Sequence, residues 1–318
     1  MYKRQAPDPG GETQLLVPVG KAIGVKLFAE GVLVVGLSEN EGAVSPAKKG
    51  GMKAGDLILT MNDVTIGSTE HLQSLLAENG EREAAFGVRR GRRLVTLAVC
   101  PKKGQDGVCR LGAWIRDSMA GIGTVTYYDP ATGDFGALGH GITDGDTMAL
   151  MPFGSGSILP STVKAVKKGS SGSAGELRGN FDLSGDLGPL RANTDCGIFG
   201  TLPADCTLAA GEALPVGDAV EGPATIRANV SGDEVREYAV EILKRLPNAS
   251  DGREMVISVT DPDLIAATGG IVQGMSGSPI LQNGKLVGAV THVLLSDATK
   301  GYGISMETML LSLIHISE

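Results

Sequence analysis

Gly274-Met275-Ser276-Gly277-Ser278-Pro279-Ile280 puts a serine between glycines in a tight turn, and a strand pair follows at once. The strands are Ile280-Leu281 and Leu286-Val287-Gly288-Ala289-Val290, joined through Gln282-Asn283-Gly284-Lys285. A serine cannot attack an amide at neutral pH unless a base takes its proton and donors stabilise the oxyanion. The glycines let the backbone N–H groups of Gly274, Met275 or Ser276 aim at a developing oxyanion with no Cβ in the way. Ser276 is therefore the candidate nucleophile.

A glycine-flanked serine leading into a hairpin has the pattern of a chymotrypsin-like nucleophile loop. The base should be a histidine. His71 falls on a predicted helix far from Ser276, and His315 lies in a terminal stretch set aside below. His140, in Leu138-Gly139-His140-Gly141-Ile142-Thr143-Asp144, sits between glycines at a predicted strand end, where the imidazole can face a cleft. His292 follows the serine hairpin and either lines the cleft or packs on a strand. His140 is the expected base, because catalysis needs a histidine from the opposing barrel. The acid that orients it could be Asp261 or Asp263, with Asp144, Asp146 and Asp195 as rivals; pattern alone does not rank them. The Gly-x-Ser-x-Gly elbow of α/β-hydrolases needs glycine two positions after the serine, where this chain has Ser278. That disfavours an esterase of that fold.

Upstream, Gly31-Val32-Leu33-Val34-Val35-Gly36 reads as a buried strand. From Ser45 to Asp63 follow a short helix, a Gly-Asp turn, a strand and an Asn-Asp turn. The next helix spans Thr69 to Glu78, with Ser68 or Thr69 as N-cap, and the last strands flank the basic run Arg89 to Arg93. This order resembles a PDZ domain over residues 14–100. Such a domain binds an extended peptide along a sheet edge, its backbone N–H groups holding the terminal carboxylate. The matching apolar-Gly-apolar turn would be Ile23-Gly24-Val25. Residues 101–110 read as a linker, polar and glycine-bearing from Pro101 to Gly107. Residues 111–310 then hold many short strands between glycine-rich turns, with one amphipathic helix expected over Gly232 to Leu246.

Composition agrees with that division. The 318 residues have room for two cores, and 47 glycines with 4% aromatics suit a turn-rich β protein better than long helices. A net charge of −8 argues against general nucleic-acid binding. Cys100, Cys109, Cys196 and Cys206 lack zinc-site spacing; the pairs 100/109 and 196/206 are either short disulfides or free thiols. No apolar run approaches the roughly 20 residues that span a bilayer. Met1 to Gln5 and Leu311 to Glu318 resemble the translated ends of a transposase sequencing adapter, so both ends are set aside as non-native.

The segments Gly139-His140-Gly141-Ile142-Thr143-Asp144, Thr260-Asp261-Pro262, Gly269 to Ile280 and Gly301-Tyr302-Gly303-Ile304 together resemble the stage IV sporulation protein B peptidase family. The resemblance implies a mainly β chain, an N-terminal PDZ domain followed by a chymotrypsin-like double β-barrel peptidase domain. It implies a triad of His140, Asp261 and Ser276, and no metal or organic cofactor. It further implies a membrane anchor ahead of the PDZ domain and export into the space between forespore and mother-cell membranes. The implied substrates are the chain itself and a membrane-bound regulator of an intramembrane protease. One departure is Ser296-Asp297-Ala298, where family members often carry Asn-Asp-Pro. The rival from another class is an inactive peptide-binding scaffold, disfavoured because all three triad residues are present.

Overall fold

The computed structural model describes residues 14–314, apart from 41–42, 183–184, 204, 247–248 and 250–251. Met1 to Gln5 and residues 315–318 of the suspected foreign ends lie outside the described residues. Leaving two-residue pairings aside, the N-terminal part runs β1 (Leu15–Pro18), β2 (Ala22–Leu37), α1 (Pro46–Lys49), β3 (Leu57–Met61), α2 (Thr69–Asn79), β4 (Ala84–Arg90) and β5 (Arg93–Val99). Next come β6 (Ala113–Tyr128), β7 (Asp134–Ala137), β8 (Ser155–Lys167), β9 (Glu176–Phe181), β10 (Gly188–Thr194) and β11 (Gly197–Thr201). The C-terminal part holds β12 (Gly222–Ser231), β13 (Glu234–Arg245), β14 (Met255–Val259), α3 (Pro262–Thr268), β15 (Pro279–Gln282), β16 (Lys285–Val293), β17 (Lys300–Ser305) and α4 (Met306–Ile314).

Two rings of strands result. In the first, β2 pairs with β6, β6 with β7, β7 with β11, β11 with β10, β10 with β8, and β8 returns to β2. The second is a closed barrel in the order β12-β13-β14-β17-β16-β15. Its interior is filled by residues such as Ile226, Ile257, Ile280 and Val290, all at 0% exposure. Each such side chain contributes about 1.5–3 kcal/mol on leaving water. A mainly β chain that combines a PDZ module with a barrel-containing protease domain is what the sequence led one to expect.

The division at residue 100 needs correction. The 16-residue strands β2 and β6 are shared between the two units. Ala22 to Phe28 and Ser118 to Thr124 pair within the first barrel, whereas Leu33 to Leu37 and Ala113 to Arg116 pair within the PDZ sheet. That sheet continues from β2 to β3, β4 and β5. The PDZ module is thus inserted into the first barrel, not strung in front of it. Ser45 and Ser68 cap α1 and α2 through their hydroxyls, and Leu72 and Leu76 of α2 pack with Phe86 and Ile58 in the module's own core.

Two smaller readings also change. Residues 101–110 are no open tether, because Lys102–Lys103 pairs antiparallel with Cys109–Arg110. The helix expected over Gly232 to Leu246 is strand β13. Tyr238, Val240 and Ile242 point inward, with Glu237, Ala239 and Glu241 exposed between them. That period of two matches a half-buried strand, and the antiparallel partner β12 takes up its backbone groups. All four cysteines are unpaired thiols.

Candidate active site

The turn that carries Ser276 joins α3 to β15 and is wedged between the barrels. Gly277 adopts φ 96°, and a Cβ there would lie 2.1 Å from the Thr124 carbonyl oxygen, so no other residue fits without displacing β6. Ser276 is half-buried, and its Oγ donates to the Thr291 carbonyl at 2.8 Å. Thr291 precedes His292, whose ring centroid is 5.0 Å from that of His140, the planes tilted by 36°. His140 arrives from the first barrel, just after β7. The preceding residues brace it, for Leu138 N–H donates to Thr124 O at 3.1 Å. The structure therefore brings Ser276, His140 and His292 to one place.

His140 Nδ1 lies 2.9 Å from the Gly141 carbonyl oxygen. A carbonyl can only accept, so Nδ1 carries the proton and Nε2 presents its lone pair. Burial lowers the imidazole pKa below its ordinary 6.5, with the Gly141 contact opposing more weakly. The ring is consequently neutral at pH 7, in the tautomer a general base requires.

Asp261 does not reach His140. It is the N-cap of α3, its carboxylate accepting from the backbone N–H groups of Asp263, Leu264 and Ala239 at 3.0, 3.1 and 3.2 Å. Although partial burial opposes it, those three donors hold its pKa below the usual carboxylate value. The strand β14 separates it from the site. Gly252, just before β14, faces the Gly139 carbonyl, whereas Asp261 follows the strand's far end. Five strand residues span about 16 Å. Thr-Asp-Pro is a helix start in this fold, and the place expected for Asp261 beside His140 is not filled by it.

The rival aspartates are also engaged elsewhere or exposed. Asp144 is fully buried and accepts from Asp146 N, Thr147 N, Thr147 Oγ1 and the guanidinium of Arg116. Burial opposes its charge, yet these donors and Arg116 keep its pKa below the normal range. Asp146 takes a second contact from Arg116 at 3.0 Å, Asp195 is exposed, and Asp263 lies exposed in the first turn of α3. The group that orients the histidine is the Gly141 carbonyl, for which no side-chain motif exists to be read.

The backbone donors sort cleanly. Met275 N–H is committed to Val272 O at 3.1 Å, which removes it from the three expected oxyanion donors. The N–H groups of Gly274 and Ser276 meet no acceptor among the described residues. Gly274, at φ 99°, packs its Cα against Leu177.

Ile23-Gly24-Val25, expected as a carboxylate-binding turn, lies within β2 and is paired on both edges, to Gly123-Ile122-Gly121 and to Pro160-Leu159-Ile158. With both edges hydrogen-bonded it has no free N–H row for a peptide, and its glycine serves the close approach of the Phe181 ring. A cavity of about 520 Å³ beside it, lined by Lys21, Ile23, Phe181 and Asp233 among others, includes none of the residues around Ser276.

The family described as SpoIVB peptidase S55 matches residues 107–310, and the PDZ domain family matches residues 40–90. The chain belongs to the SpoIVB peptidase family. Like the family, it is a serine peptidase. Among solved structures it is similar to the Rv3671c protease of M. tuberculosis, at 16% identity to the inactive form (63% of this chain, 85% of that one, TM-score 0.33). For the active form the identity is 15%, over 63% and 75% of the two chains, again with a TM-score of 0.33. The PDZ domain of an SdrC-like protein from Listeria monocytogenes is similar at 16% identity, over 27% of this chain and 87% of that one, with a TM-score of 0.24. Comparison with curated proteins returned no match. Among the described residues of this SpoIVB family peptidase, no helix is long and apolar enough to cross a membrane.

Proposed function

We propose that the chain is a serine endopeptidase of spore-formation signalling, in which Ser276 is the nucleophile and His140 its general base. The observation that carries the chemistry is the convergence of Ser276 with a neutral histidine whose Nε2 is the free acceptor. A rotation about χ1 takes the Ser276 hydroxyl from the Thr291 carbonyl towards that imidazole. Ser276 Oγ then attacks the scissile carbonyl while His140 Nε2 takes its proton. The N–H groups of Gly274 and Ser276 receive the oxyanion, and imidazolium His140 returns the proton to the leaving amine. The Gly141 carbonyl stabilises that imidazolium through Nδ1–H, the task a carboxylate performs in the common triad.

Family membership supports the finer reading: self-cleavage, cleavage of a membrane-bound regulator of an intramembrane protease, and action outside the forespore membrane through an anchor. Peptide capture by the PDZ module fits a protein substrate. Mass spectrometry of the purified protein, incubated beside Ser276→Ala, tests the enzyme assignment. Self-cleavage products should appear only with serine present. Losing a nucleophile that acts as a unit with its base costs roughly a millionfold in rate, so equal processing by both proteins would exclude Ser276.

A further inference from the structure

We propose that Thr124 is a positioning residue for acyl transfer, fixing the nucleophile turn so that only the N–H groups of Gly274 and Ser276 face the cleft. This rests on Ser276 being the nucleophile. Thr124 is 1% exposed, on the barrel half of β6. Its Oγ1 donates to Gly274 O at 2.8 Å, and its N–H donates to Ser276 O at 3.0 Å. Its own carbonyl accepts from Leu138 N–H, two residues before His140. One residue therefore touches both the nucleophile turn and the segment that presents the base.

The carbonyl and N–H of a trans peptide point in opposite directions, so fixing one end orients the other. The 274–275 peptide is held at both ends, its carbonyl by Thr124 Oγ1 and its N–H by Val272 O. The 276–277 peptide is held by Thr124 N–H and, through Gly277 N–H, by Val290 O at 2.7 Å. Between them, Met275 O accepts from Ser278 N–H at 2.9 Å, which turns Ser276 N–H the other way. The hydroxyl of Thr124 is the one side-chain group in this set. Without it the Gly274 carbonyl is buried with no donor, and Gly274, lacking a side chain, offers little resistance to rotation.

The test measures inactivation by diisopropyl fluorophosphate, separating the limiting rate kinact from the apparent affinity KI. Thr124→Val removes the hydroxyl at nearly constant volume, and Thr124→Ser keeps it. Thr124→Ala replaces the valine variant should that one not fold, and all rates are taken below each variant's unfolding midpoint. Removing one oxyanion donor outright costs about 10²–10³ in rate. Misaligning the turn should lower kinact by about 10- to 100-fold with KI unchanged, and Thr124→Ser should restore most of it. A wild-type kinact without the hydroxyl, or a serine variant as slow as the valine one, would overturn the proposal. Ser276→Ala runs in parallel. If it is still labelled, the nucleophile assignment has failed; if it is inert while Thr124→Val reacts normally, only the role of Thr124 has.

Discussion

Arg116, on the PDZ half of β6, donates to the buried carboxylate of Asp144, four residues beyond His140. Its second amino group reaches Asp146 at 3.0 Å. Further along the same strand, at Thr124, β6 meets the nucleophile turn, and at Asp117 it accepts from Thr69 N–H and Oγ1 of α2. A single strand thus links the PDZ module, the histidine segment and the serine turn.

Arg116→Met should destabilise the protein and slow catalysis together. Asp144 would keep its donors from residues 146 and 147 but lose its counter-charge. Arg116 is about one-third exposed, so water screens part of the pair. The expected loss is about 1–2 kcal/mol, the roughly 1.5–3 kcal/mol of a hydrogen bond to a charged group reduced by that screening. Thermal unfolding and fluorophosphonate labelling should both respond, whereas Arg178→Met, whose partner Glu176 lies on the surface, should change neither. Loss of stability with undiminished labelling would separate the Asp144 anchor from the histidine.

The acid limb of activity should fall below the ordinary histidine value. Burial depresses the His140 pKa from 6.5, so the neutral base persists into mildly acidic solution. The midpoint of kcat/KM against pH should therefore sit under 6.5. The same shift affects folding. The unfolded chain takes up the proton first as pH drops below 6.5, so this histidine's share of stability is intact above that value. It declines between the unfolded and folded pKa values. An acid limb centred above 6.5 would contradict the enclosed, neutral imidazole.

Asp261→Asn should retain activity and lose only part of the cap's stability, because the amide oxygen still accepts from the N–H groups of α3 while the amide nitrogen cannot accept from Ala239 N–H. Asp261→Ala should lose about 1 kcal/mol through the orphaned N–H groups of α3. Since the native carboxyl is held below its ordinary 3.8, its contribution is complete above that value and fades as pH falls through the lowered one. Thermal melts of the two variants at pH 7 and pH 3 check this. An asparagine variant that is folded at the assay temperature yet cannot be labelled would restore Asp261 to the chemistry.

The serine turn was legible because its information is local. Glycine on either side, a proline and a hairpin all fall between Gly274 and Val290, and the structure keeps the hairpin together in β15 and β16. What was not legible is carried by pairing across long separations. Ile23 to Val25 look like an isolated glycine turn until Gly121 to Gly123, nearly a hundred residues on, are laid against them. Thr124 sits in an ordinary Thr-Val-Thr strand and meets Gly274 150 residues later. The stretch Glu234 to Arg245 carried apolar residues at both helical and strand spacing, and only the barrel decides which period is used. The Asp261 motif misled because Thr-Asp-Pro serves equally well as a helix start, with aspartate at the cap and proline at the first turn.

A fragment that begins at residue 111 should not yield a folded peptidase. Without β2, strands β6 and β8 lose the partner that lies between them over residues 22–28, and the first barrel opens. Exposed edges of that length recruit other chains, so the fragment should aggregate. Residues 14–100 alone should fare no better, since Leu33 to Leu37 would lack Ala113 to Arg116 and α2 would lose the Asp117 cap. Supplying both pieces together should recover soluble, fluorophosphonate-reactive protein, because β2 and β6 pair between the fragments. Gly24→Val tests the same interface within the intact chain. A Cβ there would lie 2.6 Å from the Phe181 ring, so the variant should lower the unfolding midpoint of the whole protein. Circular dichroism melts and gel filtration read both experiments. A monodisperse, folded 111–310 fragment, or a Gly24→Val protein with an unchanged melt, would show that the module and the barrel stand independently.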